Sequence, residues 1–434
     1  MSNTFRSLRH YNYRLWALGA LVSNIGTWMQ RTAQDWIVLT QLTHESATAV
    51  GIVMSLQFGP QLLLLPYTGL AADRLDRRKL LLVTQASMGA LALALGALTL
   101  AGTVSLWHVY VLAFLLGCVT AFDGPARQTF VGELVGEEDL ANAVALNATS
   151  FHSARLIGPA AAGVLLGAVG SGWVFVINAA SFGAVLYALS LLRAGQLHPQ
   201  RRAAREPGEF LQGLRYVWHR PDLVAVMWMM FLVSTFGFNF QIFIPAMSVV
   251  AFRAGAQQYG ALASLMGAGA VAGALFAARQ GKPRFRLLLA MAALFGAGSV
   301  AGALAPDPWF FGATLAFTGV AAQVYMTCTN SLVQLSTEQA MRGRVMALLL
   351  AIVMGCTPLG APFVGWVADA FGPRWALAVA AASSLAAALV GIRYLMKHAR
   401  RHLYVRGGAQ RQGSDGTSGA KSPRQAPSEP NERA

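Results

Sequence analysis

The chain is a succession of apolar runs, each about 20 to 25 residues long, and that repetition is what most limits its fold. A run of this length, wound as a helix at about 1.5 Å per residue, crosses the roughly 30 Å of hydrocarbon in a bilayer. Charged or turn-rich breaks mark off twelve runs, near 15–39, 48–70, 80–101, 106–128, 142–169, 172–193, 222–250, 258–278, 286–305, 308–332, 344–369 and 374–396. A soluble domain coats itself with about one charged residue in four. Here 12% of residues are charged and 55% are hydrophobic. The expected class is an all-α membrane protein with twelve transmembrane helices.

Charge orients them. With the N-terminus placed inside, the inner segments collect Arg6, Arg9, Arg14, Arg74, Arg77, Arg78 and Lys79, then a basic stretch with Arg201, Arg202, Arg205, Arg215 and Arg220, then Lys282, Arg284 and Arg286. The outer loops carry only Arg253 and Arg374. Basic residues stay on the cytoplasmic side of a membrane protein, so both termini are expected inside. The net charge of +15 reads as this topological signal, and no nucleic-acid partner is expected. The opening MSNTFRSLRHYNYR has no small-residue cleavage site, so the first run is expected to remain as a helix. Cys118, Cys328 and Cys356 lie within apolar runs at a spacing that fits no metal site, and neither metal nor cofactor is expected.

Residues 194–221 form the one long interior polar stretch and divide the helices six and six. The expected domains are a six-helix bundle at 1–193, a cytoplasmic basic linker at 194–221, a second bundle at 222–398 and a disordered tail at 399–434. EFLQGLRYVWHRPD, from Glu209 to Asp222, is amphipathic and is expected along the inner membrane surface. The bundles repeat. An offset of 202 residues pairs 117–163 with 319–365 without a gap, matching Gly117 to Gly319, Val131 to Val333, Gly158 to Gly360 and Gly163 to Gly365. Two parallel six-helix halves with a site between them is the layout of a rocking transporter.

Three motifs stand out. GLAADRLDRRKLL, from Gly69 to Leu81, puts a glycine, an acid and several cations at one inner junction. It resembles the loop signature of the major facilitator superfamily, G-x-x-x-D-R-x-G-R-R-K, with Asp76 where that pattern has its second glycine. RLIGPAAAG, from Arg155 to Gly163, removes a backbone bond at Pro159 and leaves small residues for a neighbouring helix. It resembles the G-P-x-x-x-G motif of proton-coupled exporters in that superfamily, although the similar GAPFVG at 360–365 shows that such packing is partly structural. AFDGPARQTFVGELV, from Ala121 to Val135, lacks the spacing and downstream aspartates of a CDP-alcohol phosphotransferase. It is similar instead to the F-D-x-P-A-R-Q of the branch holding enterobactin and macrolide exporters, as are NYRLW (12–16), NIGTWMQRTAQDW (24–36) and GLRYVWHRPDL (213–223). The resemblance spans residues 5 to about 400. It implies a latch of Gly69, Asp73, Arg74, Arg77, Arg78, Asp123 and Arg127. In it Asp73, Arg77 and Asp123 form a cytoplasmic charge cluster that latches the outward-closed state and breaks on opening. It also makes Gly158, Pro159 and Gly163 the helix-packing motif. The arginine that many relatives carry in helix four is here Ala113.

TWMQRTAQDW, residues 27–36, sets charge inside the first apolar run. Asn24, Trp28, Arg31 and Asp35 follow helical spacing and share a face, with Gln34 beside it. That face must meet protein or water, because an arginine facing lipid costs at least about 2.5–3.5 kcal/mol at mid-membrane. His152 and Arg155 lie at mid-depth in the fifth run. Asp35 reads as a proton or cationic-substrate site with Arg31 and Arg155 as alternating partners, as half of a structural pair with Arg31, or as a solvated residue at the outer interface beside Trp36. The wider cavity set is Asn24, Trp28, Gln30, Gln34, Gln57, Gln61, Phe236, Asn239, Gln241, Gln323, Tyr325 and Asn330, while Asp369 reads as a solvated helix end.

The implied function is a monomeric secondary transporter in a bacterial cytoplasmic membrane, exporting an amphipathic small molecule (drug, siderophore or secondary metabolite) in exchange for protons. No GxxxxGK[ST] is present to hydrolyse nucleotide, and HExxH is absent, so no enzyme is expected. An importer of the same fold stays open as an alternative, with a sensor or a membrane enzyme behind it.

Overall fold

The computed structural model describes residues 3–64, 67, 68, 71, 75–198, 209–280 and 283–415, of which 3, 4, 209, 210 and 398–415 are described by their backbone alone. Within them the chain is helical throughout: α1 (Tyr11–Ile37), α2 (Ala47–Leu63), α3 (Arg77–Leu100), α4 (Leu106–Ala168), α5 (Ser171–Ser190), α6 (Glu209–Trp218), α7 (Pro221–Leu232), α8 (Phe240–Ala246), α9 (Ala256–Arg279), α10 (Phe285–Ala303), α11 (Pro308–Ser336), α12 (Arg342–Phe371) and α13 (Pro373–Asp415). Among the described residues, nine helical stretches are long and apolar enough to cross a membrane, one of them being α7 and α8 taken together. Of the nine, α4 at 63 residues is two crossings joined end to end. The polar α1 and the 17-residue α2 bring the crossings to twelve, six in each half. The expected tail beyond 415, and 199–208 of the expected linker, lie outside the described residues.

Three runs depart from their expected form. The fourth and fifth are separated by a single residue, Gly136, at φ +73. Only that positive φ breaks the helix, so both limbs continue past the apolar spans through the stretch that holds Glu133, Glu137, Glu138 and Asp139. The seventh run is segmented. α7 passes into a π-helical turn (Val233–Gly237), breaks at Phe238 and Asn239, resumes as α8 and ends in a second π turn (Met247–Ala251). Asn239 stabilises the break by donating its amide to the Thr235 carbonyl at 2.8 Å. Elsewhere, local chemistry sets the helix starts. Asp76 is the N-cap of α3 and accepts from Lys79 N at 3.1 Å, which gives this acid a role where the superfamily pattern has glycine. Asp307 caps α11 ahead of Pro308.

The twofold repeat is visible in the close approaches of its glycines. Gly117 faces the Leu56 and Gln57 carbonyls of α2, and its counterpart Gly319 faces the Met266 carbonyl of α9. Gly158 packs on α1 at Trp28, and Gly360 on the Thr235 carbonyl after α7. Gly163 meets α9 at Ala256 and Gly260, and Gly365 meets α2 at Ala47 and Thr48, so this last pair crosses between the halves. A side chain at any of these sites would force the helices apart.

Alternating crossings define two faces. The near face holds the start of α1 and the Gly136 junction; the far face holds the start of α2 and the end of α12. The apolar core differs between them. Toward the far face one cluster unites both halves, running from Met29, Ile37 and Val50 through Phe243, Tyr259 and Leu262 to Ala361 and Val364. Toward the near face each half keeps its own: Tyr13, Trp16, Leu81 and Phe130 in the first, Met229, Leu288, Val324 and Leu349 in the second.

Candidate functional site

The charged face of α1 meets the second limb of α4 at mid-depth. Gly158 brings the two helices together, since a Cβ there would come within 2.5 Å of Trp28 Cβ. One turn away, Arg155 lays its guanidinium 5.5 Å from the Trp28 ring centroid. Arg31 lies 5.1 Å from the same ring and 5.3 Å from Phe58 of α2. Phe151 packs edge-on against Trp28 at 5.8 Å. Two cations therefore share one indole inside an aromatic collar. The second half presses on the same place, because Gly267 of α9 abuts the Arg155 carbonyl.

Asp35 is buried at 5% exposure, so it is no solvated interface residue. Nor is it tied to Arg31: no ion pair joins them, although each lies in the other's electrostatic field. The i, i+4 spacing permits a pair, but the guanidinium turns to Trp28 and Phe58 instead. Tyr259 of α9 is near enough to Asp35 to feel its charge, and Trp36 stacks on Tyr259 with centroids 5.9 Å apart. Asp35 thus lies where the halves meet. No ion pair joins Arg155 to Asp35 either.

Several residues expected in the cavity are engaged inside a half. Gln30 accepts from Asn178 of α5 at 2.5 Å. Gln61 reaches Thr120 of α4 at 3.3 Å. Tyr325 is 1% exposed, packed in the second half's core against Phe238 at 6.4 Å. Asn24 receives a hydrogen bond from Arg127 at 3.1 Å. Gln34 and Gln57 are buried, the latter with an unpartnered Nε2. Phe236 packs on Phe363 at 5.8 Å, Gln323 reaches only Thr327 of its own helix at 3.4 Å, and Gln241 and Asn330 are half-buried. Helical phase told these residues from lipid-facing ones but not which neighbour each would meet.

The expected latch resolves into separate contacts. Gly69, Asp73 and Arg74 lie outside the described residues. Arg77 forms an ion pair with Glu133, a partner absent from the sequence reading, and not with Asp123. Asp123 accepts from Thr84 at 2.8 Å and Gln85 at 2.7 Å and pairs with Arg127 at 3.1 Å. Arg78 donates to the Leu189 and Ser190 carbonyls at the end of α5.

Sequence reasoning missed the main polar contact between the halves. Asp369, read as a solvated end, is exposed and at the same time caps the start of α2 across the far seam. Its carboxylate accepts from Ala47 N at 2.6 Å, Thr48 N at 3.0 Å, Ser46 Oγ at 2.9 Å and Thr48 Oγ1 at 2.6 Å. A Ser-x-Thr at a helix start hints at capping, but nothing local points to an acid more than 300 residues away.

A sequence profile described as "Transmembrane secretion effector" matches residues 2–404. The chain belongs to that family, within the major facilitator superfamily. The enterobactin exporter EntS of Shigella flexneri is 26% identical over 83% of this chain and 85% of its own length. The multidrug efflux pump Tap of Mycolicibacterium fortuitum is 28% identical over 81% and 88%. The staphyloferrin A transporter of Staphylococcus aureus is 24% identical over 80% and 87%. Among solved structures, the nucleoside transporter NupG superposes with a TM-score of 0.67 at 13% identity, covering 89% of this chain and 99% of that one. An inward-facing, occupied bacterial homologue of the lysosomal transporter Spinster does so at 0.65 and 16%, covering 91% and 96%. This member of the secretion effector family is thus a multi-pass membrane transporter with the major facilitator fold. No group of three or more metal-ligating side chains occurs among the described residues.

Proposed function

We propose that the chain exports an amphipathic small molecule in exchange for protons, with Asp35 as the group that takes up and releases the proton. The observation that carries this is a carboxyl buried at the meeting of the halves without an ion-pair partner, beside a helix that must move if the halves rock. A carboxyl locked to a neighbouring cation stays ionised, whereas one that has no fixed partner can change its protonation when its surroundings change. The names of EntS and Tap support export. The basic near face supports a cytoplasmic location for that side and for both termini, with 194–221 as an inner linker. In this reading the protein works as a monomer in a bacterial inner membrane, moves its substrate by alternating access and leaves it chemically unchanged.

Everted vesicles holding an acid-inside gradient, read with a pH-sensitive dye, test the proposal against a panel of drugs and siderophores. Substrate-triggered proton release is expected from the wild type, with substrate accumulating in the vesicles, and is expected to vanish in Asp35→Asn. Release that survives the substitution overturns the role of Asp35. Substrate accumulation by intact cells instead of everted vesicles overturns export.

A further inference from the structure

The mid-depth cluster carries more positive charge than it has acid to balance. Arg31 and Arg155 count +2 and Asp35 counts −1, and His152 adds nothing when neutral. A guanidinium stays protonated at any pH a cell meets, so neither arginine can shed its charge as a buried lysine can. Among the described residues, neither has a carboxylate within ion-pair distance or a hydrogen-bond acceptor. Nε of Arg31 is fully enclosed and unpartnered, and so is Nδ1 of His152 on the next helix. Contact with an aromatic face is worth about 0.5–2 kcal/mol, far less than an arginine at mid-membrane costs. Buried donors left unmatched in this way mark either a strained structure or a place for a missing acceptor.

The surroundings favour the second. The two guanidiniums lie 5.1 and 5.5 Å from one indole centroid, so they are at most 10.6 Å apart (5.1 + 5.5). Trp28, Phe58 and Phe151 supply aromatic walls around them. Gly158 and Gly267 set α1 and α9 directly against this stretch of α4, so the cluster lies at the seam that alternating access would open. Cation-binding chemistry is the poorer fit, because a cationic ligand would approach two like charges with one offset acid to welcome it. An anionic group would complete the charge balance and satisfy the idle donors, and a fork of N–H donors suits a carboxylate.

We infer that Arg31 and Arg155, flanking Trp28, form the binding site for the anionic group of the transported molecule, an organic acid with an aromatic body. This replaces the cationic-substrate expectation. It rests on the transport reading only for the word transported, since binding itself is measurable without transport.

Isothermal titration of the purified full chain in lipid nanodiscs tests the inference with three probes of one shape: 1-naphthoate, 1-naphthalenemethanol and 1-naphthylmethylammonium. Naphthoate is expected to bind at least about tenfold more tightly than either of the others, the size of one charge-assisted hydrogen bond. Arg31→Gln and Arg155→Gln are each expected to weaken naphthoate about tenfold or more while leaving the alcohol unchanged. Arg155→Lys, which keeps the charge but not the fork, is expected to fall between them and the wild type. Equal binding of the three probes by the wild type overturns the site without recourse to any variant, as does absence of naphthoate binding. Naphthoate affinity that survives both glutamine substitutions overturns it too. Arginine-dependent binding alongside vesicles that release no protons would leave the site standing and defeat proton exchange. Proton release triggered only by cationic compounds would do the reverse.

Discussion

The two halves share a fold and differ in what they bury. Moved on by 202 residues, Asp123 becomes Tyr325, Arg127 becomes Thr329, His152 becomes Met354 and Arg155 becomes Thr357. The glycines survive the same translation and make matching close contacts, Gly117 with Gly319 and Gly158 with Gly360. Helix packing therefore sets the repeat, and the intramembrane charge has been kept on one side of it. In the first half Asp123 is held by Thr84, Gln85 and Arg127. In the second, Tyr325 sits among Phe238, Val324 and Cys328, its hydroxyl buried without a partner. A transporter that rocks one half against the other needs its chemistry in only one of them, provided the seam brings the second half to it.

The largest test of this asymmetry compares those two equivalent positions. Asp123→Ala leaves Arg127 without its carboxylate and Gln85 without its acceptor, while Thr84 keeps the Leu81 carbonyl. Breaking a buried pair costs about 3–5 kcal/mol. The partial exposure of Arg127, at 17%, puts the expected loss near the lower figure, about 3 kcal/mol. Tyr325→Phe removes only an unsatisfied hydroxyl and is expected to change stability by less than about 1 kcal/mol. Chemical unfolding in micelles reads both. Equal losses would mean that the second half depends on Tyr325 as the first does on Asp123, and the asymmetry would fail.

A smaller effect separates the two seams at the far face. Asp369 closes one by capping α2 through four hydrogen bonds, whereas its counterpart 202 residues earlier is Gly167, which rests against the Gln257 side chain of α9. Loss of a helix cap costs about 0.5–2 kcal/mol. If that cost falls on the far-closed state alone, Asp369→Ala shifts its balance with the open state by about tenfold for each 1.4 kcal/mol. A cysteine at Val50, buried in the seam, should then react severalfold faster with an impermeant maleimide added from the far side, in a chain whose three native cysteines are serine. Gly167→Ala should leave that rate unchanged, because its Cβ would meet only the movable end of Gln257, 3.3 Å away. No acceleration in Asp369→Ala would mean that apolar packing alone closes both seams.

The sequence disclosed most of the fold and less of the site, for one physical reason. Crossing a bilayer constrains each run by itself, through length, apolarity and the side on which its cations remain. Twelve runs could therefore be read one by one, and the gapless repeat tied them into halves. Which residues meet depends instead on the rotation of one helix against another. Gln30 shares its stretch with Arg31 yet turns to Asn178 of α5. Arg31 and Asp35 have the spacing of a helical salt bridge, but Trp28 of the same helix and Phe58 of α2 claim the guanidinium. Gly136 lies in the gap between the fourth and fifth runs, and its positive φ is the whole of the break between two crossings.

The smallest expected effect lies at the near face, where Asp139 of the first half has Met341 as its counterpart 202 residues later. The N-terminal segment Asn3–Arg9 docks on the Gly136 junction through Asp139, which pairs with Arg6 and with His10 at 2.7 Å. Ser7 adds hydrogen bonds to the Asp139 carbonyl at 3.1 Å and to the Asn142 side chain at 2.8 Å. Residue 139 lies between the fourth and fifth apolar runs, outside both. The hydrogen bond with His10, helped by Arg6, holds its carboxyl below the usual carboxylate range. A depressed carboxylate pKa lends stability above the unfolded value of about 3.9 and loses it as pH falls through the folded one. Amide exchange in residues 5–10, taken relative to the intrinsic rate at each pH, should therefore stay slow down to about pH 4 and quicken below it. In Asp139→Asn it should be fast throughout, with the membrane helices unaffected in either case. Exchange that ignores both pH and the substitution would show that Ser7 and the packing of Leu8 hold the segment by themselves.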